Sequence, residues 1–271
     1  MNLAIVHSRA RSGVRAPEVR VEVHLGGGLP SMSIVGLPAA AVREAKDRVR
    51  AALQSSQLEF PARRITVNLA PADLPKDGGR FDLPIALGIL AASGQIPLQA
   101  LENTEFLGEL GLTGELRGVD GVLPAALATG QAGRKLVVPA ANAEEAALAD
   151  HVRTFAPRTL LETCAVLTGR KVPEPPPILA PAPTLTVPDM ADVRGQAHAR
   201  RALEIAAAGG HHLLLVGPPG CGKTLLASRL PGLLPPQTDT EALETAAVLS
   251  VSRQGSGGST DSNRSWRSRP I

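Results

Sequence analysis

The sequence predicts an α/β protein in two parts, and three observations carry this prediction. Over residues 1–171, short segments with the alternation typical of strands take turns with longer segments that have apolar residues on one face, as helices do. Residues 172–188 contain seven prolines, which exclude a helix or a central strand and indicate a linker. Residues 189–250 contain an apolar segment, a glycine-rich loop and a second apolar segment, the order strand, loop, helix.

The elements of the first part follow from their residue patterns. Glu18–Leu25 alternates apolar and charged side chains, which predicts a half-buried strand, and Ser31–Leu37 is predicted as its partner across the turn at 26–30. Ala39–Leu53 begins after Pro38 and has its apolar side chains on one face, which predicts a helix. The other predicted strands are 65–69, 106–110, 115–119, 136–138 and 153–155, and the other predicted helices are 83–92, 122–131, 143–149 and 159–167.

The composition excludes several classes of function. The net charge is +3, but residues 251–271 hold four arginines and one aspartate, so residues 1–250 carry 24 basic and 24 acidic side chains and no net charge. An overall basic surface for nucleic acid is therefore not indicated. The chain has four phenylalanines, one tryptophan and no tyrosine, too few for a platform on which bases stack.

The sequence also indicates a cytoplasmic protein. No apolar run reaches the length that spans a bilayer, and the first residues lack the pattern of a secretory signal. Cys164 and Cys221 are too few for a disulfide framework or a four-cysteine metal site. We therefore expect a reducing compartment and no membrane partner.

A phosphate-binding pattern follows the apolar segment His212–Val216, which is predicted to be a strand, and an apolar helix is expected after it at Leu225–Leu230. The pattern G-x-x-x-x-G-K-T uses glycines so that backbone N–H groups can surround a polyphosphate, a lysine as a positive charge, and a hydroxyl for Mg²⁺. The alternative, a glycine-rich turn that only joins strand and helix, does not account for the complete pattern. The predicted phosphate loop, for ATP with Mg²⁺ on Thr224, is Gly217, Pro218, Pro219, Gly220, Cys221, Gly222, Lys223 and Thr224.

Two side-chain groups near this loop are interpreted as structural. Cys221 occupies a position at which the pattern tolerates many residue types, so no redox role is expected. His211 and His212 are adjacent, and adjacent residues of a strand point to opposite faces. They are therefore not expected to hold one metal ion.

Three long segments resemble one family. They read VEVHLGGGLPSMSIVGLPAAAVREAKDRVRAAL at 21–53, ITVNLAPADLPKDGGRFDLPIALGILAASGQI at 65–96 and DVRGQAHARRALEIAAAGGHHLLLVGPPGCGKTLLASRLPGLLP at 192–235. These segments resemble the magnesium-chelatase-like AAA+ ATPases of the YifB/ComM family. The resemblance implies a ring-forming homo-hexamer that uses ATP and Mg²⁺ and acts on DNA as a branch-migration motor in recombination during natural transformation. It also implies that adenine lies near the turn at 192–196, with Val193 and Gly195 as contacts. A helix is predicted after this turn, to about Ala208.

Residues 1–171 resemble the α/β proteolytic domain of the Lon family. Pro75–Gly78 matches the Lon segment before the nucleophilic serine, and Phe106–Val119 matches the segment that leads to the catalytic lysine. In this sequence Arg80 stands at the serine position and Leu123 stands near the lysine position. Because a serine–lysine dyad needs a hydroxyl and a base, the match implies a domain that is not a protease and has a structural or partner-binding role.

The resemblance thus divides the chain into four segments. They are a Lon-protease-like α/β domain at 1–171, a proline-rich linker at 172–188, the first part of a P-loop AAA+ domain at 189–250, and a segment without periodicity at 251–271. The last segment is interpreted as an aberrant or disordered tail, caused by truncation or a shifted reading frame after about residue 250, or else as a functional basic tail.

The resemblance also implies parts that this sequence lacks. Hydrolysis in the family uses an acidic motif of the LFLDE type, a sensor residue and an arginine finger, and this set does not follow Thr224 here. We therefore expect the chain to bind ATP without hydrolysing it. Because a lone strand leaves its backbone groups unpaired, residues 189–271 are expected to be only marginally ordered, while residues 1–170 fold.

Two other functions remain open from the sequence. The chain resembles the ATPase subunit of magnesium chelatase, which drives Mg²⁺ insertion into a porphyrin, although the Lon-like first domain favours the YifB/ComM type. Alternatively, it is a non-catalytic interaction module, in which the first domain is folded and the nucleotide site is inactive.

Overall fold

The structure is a computed structural model that describes residues 2–37, 39, 42, 44–174, 188–235 and 237–252. Most of the predicted linker at 172–188 lies outside the described residues, and so do the predicted tail from residue 253 onward and part of the start of the helix predicted at 39–53. The chain divides into two compact units, residues 1–179 with 247–255 and residues 180–246 with 256–271.

A seven-stranded sheet lies at the centre of the first unit. Its strands are β1 (Leu3–Arg9), β2 (Glu18–Gly26), β3 (Ser31–Val35), β4 (Arg64–Ala70), β5 (Thr104–Phe106), β8 (Lys135–Val137) and β9 (Thr154–Phe155), and their order is β3-β4-β2-β1-β5-β8-β9. The pairs β1–β2 and β2–β4 are antiparallel, and the other four pairs are parallel. Two short strands, β6 (Glu109–Leu110) and β7 (Leu116–Arg117), form a separate antiparallel pair. The predicted α/β class is therefore confirmed.

The helices of the first unit are α1 (Ala45–Ser55), α2 (Asp82–Ala92), α3 (Val122–Gln131), α4 (Ala143–Ala146) and α5 (Leu160–Leu167). Helix α2 is buried along its whole length and packs on β1 and β2. This contact requires Gly88, because a Cβ there would lie 2.5 Å from Cγ2 of Val23. The predicted alternation of β2 is confirmed, since Val21 and Val23 are buried while Arg20 and His24 are exposed.

The predicted pairing of the second and third strands is wrong. Strand β4 lies between them, antiparallel to β2 and parallel to β3. The physical reason is the amount of apolar surface that each strand can bury. Strand β4 places Ile65, Val67 and Leu69 on the covered face of the sheet, whereas β3 contains two serines and is only half-buried. The strand with more apolar surface takes the central position, and β3 lies at the sheet edge.

Two other strand predictions need correction. Strand β1 is missing from the prediction because Leu3, Ala4, Ile5 and Val6 are all apolar, so that only the fold shows the alternation of exposed and buried side chains. The predicted strand 106–110 is divided between β5 and β6. Between them, the N–H of Gly108 donates to the Arg80 carbonyl and the Gly108 carbonyl accepts from Leu83, so these groups pair outside the sheet.

A buried ion pair joins β1 to β5. Nε and Nη2 of Arg9 donate to the two carboxylate oxygens of Glu105 at 2.6 and 2.8 Å, and the Glu105 side chain is fully buried. The hydroxyl of Thr129 in α3 donates to the same carboxylate at 2.6 Å, and Arg134 donates to it at 3.1 Å. A charge buried this deeply is tolerated because donors satisfy both oxygens.

The second unit is helical in its described residues. It contains α6 (Ala197–Gly209), α7 (Lys223–Ala227), α8 (Leu230–Leu233) and the larger part of α9 (Asp239–Ser252). Met190, Val193, Leu203 and Leu226 form its core cluster, far smaller than the core under the sheet of the first unit. Across the described ranges, every helix falls short of the length and apolar character that a membrane span needs.

Replacing Glu105 by Gln is expected to lower the free energy of unfolding by about 3 kcal/mol, because the guanidinium of Arg9 loses its buried counter-ion. The measurement is urea denaturation at pH 7. The double variant Arg9→Met/Glu105→Met is expected to lose less than the single variant, since no charge is left unpaired. The control Glu102→Gln, at an exposed position two residues before the start of β5, is expected to change stability by less than about 0.5 kcal/mol. A Glu105→Gln variant as stable as this control would contradict the assignment.

Candidate functional site

The predicted phosphate loop, residues 217–224, leads into helix α7. Its last two residues, Lys223 and Thr224, are the first two residues of that helix. Gly220 and Gly222 have φ angles of +80° and +89°, a region that residues with a side chain rarely adopt. A Cβ on Gly217 would lie 2.9 Å from Sγ of Cys221, and a Cβ on Gly222 would lie 3.2 Å from Nε2 of Gln196. The path of the loop therefore depends on glycine at these positions.

The ammonium group of Lys223 is enclosed by this loop. Its Nζ donates to the carbonyl oxygens of Gly217 and Pro218, each at 2.8 Å, and lies 3.7 Å from Sγ of Cys221. Residues from both ends of the loop thus meet at one positive charge. An ammonium group with three donors, exposed glycine backbone and the neighbouring exposed hydroxyl of Thr224 form a donor set that fits a polyphosphate and its Mg²⁺ ion.

The turn before helix α6 lies against the phosphate loop through a contact that the sequence does not predict. Gln196 donates from Nε2 to the carbonyl oxygen of Cys221 at 2.8 Å. Gly195 has a φ of +72° in this turn, and the side chain of Val193 is buried in the core cluster with Leu203. Val193 and Gly195, the two residues predicted to contact adenine, both lie in this turn. No spacing or composition signal singles out Gln196, because its role depends on the distance between two segments 25 residues apart.

The predicted strand His212–Val216 is wrong. The segment forms no sheet pairing in the structure, and the side chains of Leu214 and Val216 are each 85% exposed. A strand needs a neighbour to accept and donate its backbone hydrogen bonds, and the described residues of the second unit contain no other strand. Within the segment 212–216, only Leu215 packs against the core cluster.

The predicted helix Leu225–Leu230 is also corrected. Helix α7 ends at Ala227, and α8 begins at Leu230 with Pro231 in its first turn. A single helix is prevented because the ring of Pro231 would clash with the carbonyl of Ala227, and its nitrogen cannot donate to that group. The helix predicted between the turn and residue 208 is confirmed as α6.

In the first unit, the two positions matched to a protease dyad hold other groups. Arg80 is 4% exposed, and its guanidinium donates to the backbone carbonyls of Arg9 and Asp120. Burial lowers the pKa of Arg80 to about 10, so the side chain remains charged at neutral pH. Leu123 is fully buried, and its N–H, like that of Val122, donates to Glu145. These positions therefore present neither a nucleophile nor a base.

Comparison with known proteins agrees with the features of both units. A family model described as "Subunit ChlI of Mg-chelatase" matches residues 21–142, and a second one, "Magnesium chelatase, subunit ChlI", matches residues 189–270. The second match includes the phosphate loop and extends through most of the segment predicted to be a tail.

Similar proteins cover nearly the whole chain. It is 55% identical over 256 residues to competence protein ComM of Haemophilus influenzae, which is 93% of this chain and 50% of that protein. It is 50% and 48% identical over all 271 residues to proteins named YifB from Salmonella typhimurium and Escherichia coli, covering 53% of each. The chain spans about half the length of the curated relatives that it matches. With family matches in both units and this identity along its length, the chain belongs to the magnesium-chelatase-like family that includes ComM and YifB.

Proposed function

We propose that the chain binds ATP with Mg²⁺ at the phosphate loop, as part of an AAA+ ATPase of the YifB/ComM type. The observation that carries this proposal is the ammonium group of Lys223, which the loop encloses between Gly217, Pro218 and Cys221. A glycine-rich turn that only joined two elements would not need a lysine at its centre. The family matches in both units support the same conclusion.

The side chains of the loop have distinct roles in this proposal. Lys223 exchanges a carbonyl partner for a phosphate oxygen and neutralises part of the phosphate charge. The hydroxyl of Thr224 would hold Mg²⁺, and the ion would offset the negative charge of the phosphates. The backbone N–H groups of Gly220 and Gly222 donate to phosphate oxygens. The adenine is contacted by Gly195 and by the backbone of Val193, whose side chain lies in the core cluster.

Hydrolysis requires groups beyond these 271 residues in our proposal. The printed residues after Thr224 contain no apolar run that ends in Asp-Glu, the motif whose carboxylate orients an attacking water. We propose that these residues by themselves bind ATP and do not turn it over. The longer relatives have room for the missing motif, since each is about twice as long as this chain.

The action of the whole protein on DNA rests on family membership. A relative is named as a competence protein, and we propose a homo-hexameric branch-migration motor that acts in recombination during natural transformation. Because residues 1–250 carry no net charge, any DNA contact in this part depends on local arrangement rather than overall attraction. The free thiols of Cys164 and Cys221 agree with a cytoplasmic location.

A magnesium-chelatase ATPase subunit is the second candidate, because both matching family models are described by that enzyme. The two candidates are distinguished by what stimulates ATP turnover in the full-length protein. Branched DNA stimulates the motor, whereas a porphyrin together with the other chelatase components stimulates the chelatase.

The first unit has a non-proteolytic role in our proposal, as a Lon-like domain at 1–171. Limited proteolysis of the chain is expected to leave a stable fragment that ends near residue 171, because the core of this unit lies under a seven-stranded sheet. The second unit has a small core cluster and is expected to be degraded first. Mass spectrometry identifies the fragments and the order in which they appear. A stable fragment that retains the phosphate loop would contradict this division.

Lys223→Ala is expected to weaken Mg·ATP binding at least tenfold, since the only cation that the loop encloses in the described structure is removed. The measurement is isothermal titration calorimetry of the 271-residue chain. Arg201→Ala is the control, because Arg201 is an exposed cation on α6 that pairs with Glu204 outside the loop. Turnover is expected at background in all three proteins, with or without branched DNA. Equal affinity of the wild type and Lys223→Ala would refute the site.

Mg·ATP is expected to slow alkylation of Cys221, because this thiol lies in the phosphate loop and is only half-buried. Cys164 is the internal control: it is 8% exposed, and burial raises the pKa of its thiol to about 11, so it reacts slowly with or without nucleotide. Peptide mass spectrometry after a brief iodoacetamide treatment at pH 7.5 gives both rates. If Mg·ATP leaves the Cys221 rate unchanged, nucleotide does not occupy the loop.

A further inference from the structure

We propose that Gln196 is a positioning residue for the nucleotide: its side-chain amide orients the peptide between Cys221 and Gly222 so that the N–H of Gly222 faces the phosphates. This inference rests on the proposed ATP site in the phosphate loop. It assigns a role to a residue that is neither part of the G-x-x-x-x-G-K-T pattern nor one of the predicted adenine contacts.

The contact that carries the inference joins two separate segments of the second unit. Nε2 of Gln196 donates to the carbonyl oxygen of Cys221 at 2.8 Å, a distance typical of a well-formed hydrogen bond. Lys223, two residues further on, occupies the carbonyls of Gly217 and Pro218 at the other end of the loop. Thus the lysine holds the start of the loop, and Gln196 holds its last peptide before the helix.

Because the peptide between Cys221 and Gly222 is planar, the hydrogen bond from Gln196 to its carbonyl also fixes the direction of the Gly222 N–H. Within the described residues the only cis peptide is Ala70–Pro71, so the peptide between Cys221 and Gly222 is trans. In a trans peptide the C=O and the following N–H point in opposite directions. When Gln196 holds the carbonyl of Cys221 on its own side, the N–H of Gly222 is directed to the opposite side.

Without that bond, the peptide has little resistance to rotation. Rotation of this peptide changes the φ of Gly222, which is +89°, and glycine adopts positive and negative φ with similar ease. A rotated peptide would present the Cys221 carbonyl in place of the Gly222 N–H, and an oxygen acceptor repels phosphate. The glycines that let the loop curve around phosphate therefore also make it dependent on an external partner.

Gln196 has a side chain at a backbone position that favours glycine, and this side chain reaches the phosphate loop. Its φ is +54°, in the left-handed region where glycine is favoured. A Cβ on Gly222 would lie 3.2 Å from its Nε2, so the amide also lies directly over the glycine whose N–H it orients. The preceding Gly195 belongs to the turn assigned to adenine, so that one side chain connects the two halves of the nucleotide site.

Two variants test the role of the amide in the 271-residue chain. Gln196→Met removes the donor at nearly constant side-chain length. Gln196→Gly removes the side chain and suits the positive φ, so it keeps the turn even if the methionine variant folds poorly. The matched control is His198→Met, which places the same side chain at an exposed position in the first turn of α6. Far-UV circular dichroism checks that α6 is retained.

Both Gln196 variants are expected to bind Mg·ATP about fivefold more weakly than the wild type, the loss expected for one intramolecular hydrogen bond. The His198→Met control is expected to bind within twofold of the wild type. In ¹⁵N-glycine-labelled protein without nucleotide, we expect the Gly222 amide resonance to shift or broaden in the Gln196 variants, while the Gly210 amide is unchanged. This signature reports the orientation of the peptide, which a general loss of stability would not single out.

The possible results separate this inference from the proposed function. If the wild type binds Mg·ATP no better than Lys223→Ala does, the ATP site itself is refuted. If the wild type binds and the two Gln196 variants bind equally well, the site stands and the role of Gln196 is overturned. A loss of affinity with an unchanged Gly222 amide would also overturn it, because Gln196 would then act without orienting the peptide.

Discussion

The structure depends throughout on one constraint: the backbone N–H and C=O groups of an extended segment need partners. In the first unit this constraint is met by seven strands, and the helix α2 can then pack on the apolar face that the paired strands present. Among the residues of the second unit that the structure describes, the apolar segment 212–216 has no neighbouring strand, so Leu214 and Val216 stay exposed although they are apolar. The same residue types therefore lead to a buried core in one unit and to open surface in the other.

The phosphate loop shows how a backbone without pairing in a sheet is held by side chains instead. Lys223 accepts no hydrogen bond and donates to two carbonyls, and Gln196 donates to a third. Glycines make the loop able to follow this path, and they also remove the steric barriers that would otherwise hold it there. A site built in this way needs its own positioning groups, which is why a residue outside the pattern becomes part of it.

The buried charged side chains of the first unit differ from those of a catalytic site, because their hydrogen bonds are made within the fold. Glu105 receives donors from Arg9, Thr129 and Arg134, and Arg80 is bonded to backbone carbonyls. A group whose hydrogen bonds are satisfied within the fold has little capacity left for substrate. The side chains at the two positions matched to a protease dyad, Arg80 and Leu123, thus contribute to the hydrogen bonding and packing of the first unit.

The sequence by itself determined the α/β class, the helix α6, the strand β2 and the complete phosphate-loop pattern, because each of these depends on neighbours in the chain: periodic burial, or glycines and a lysine at a set spacing. Only the tertiary structure decided that β4 separates β2 from β3, that 212–216 stays outside any sheet, and that Gln196 reaches Cys221. Strand order follows from which surfaces compete for burial, and a hydrogen bond across 25 residues follows from how two turns meet. Neither leaves a local pattern in the sequence, so the physical interactions between distant segments, rather than their individual propensities, determine both.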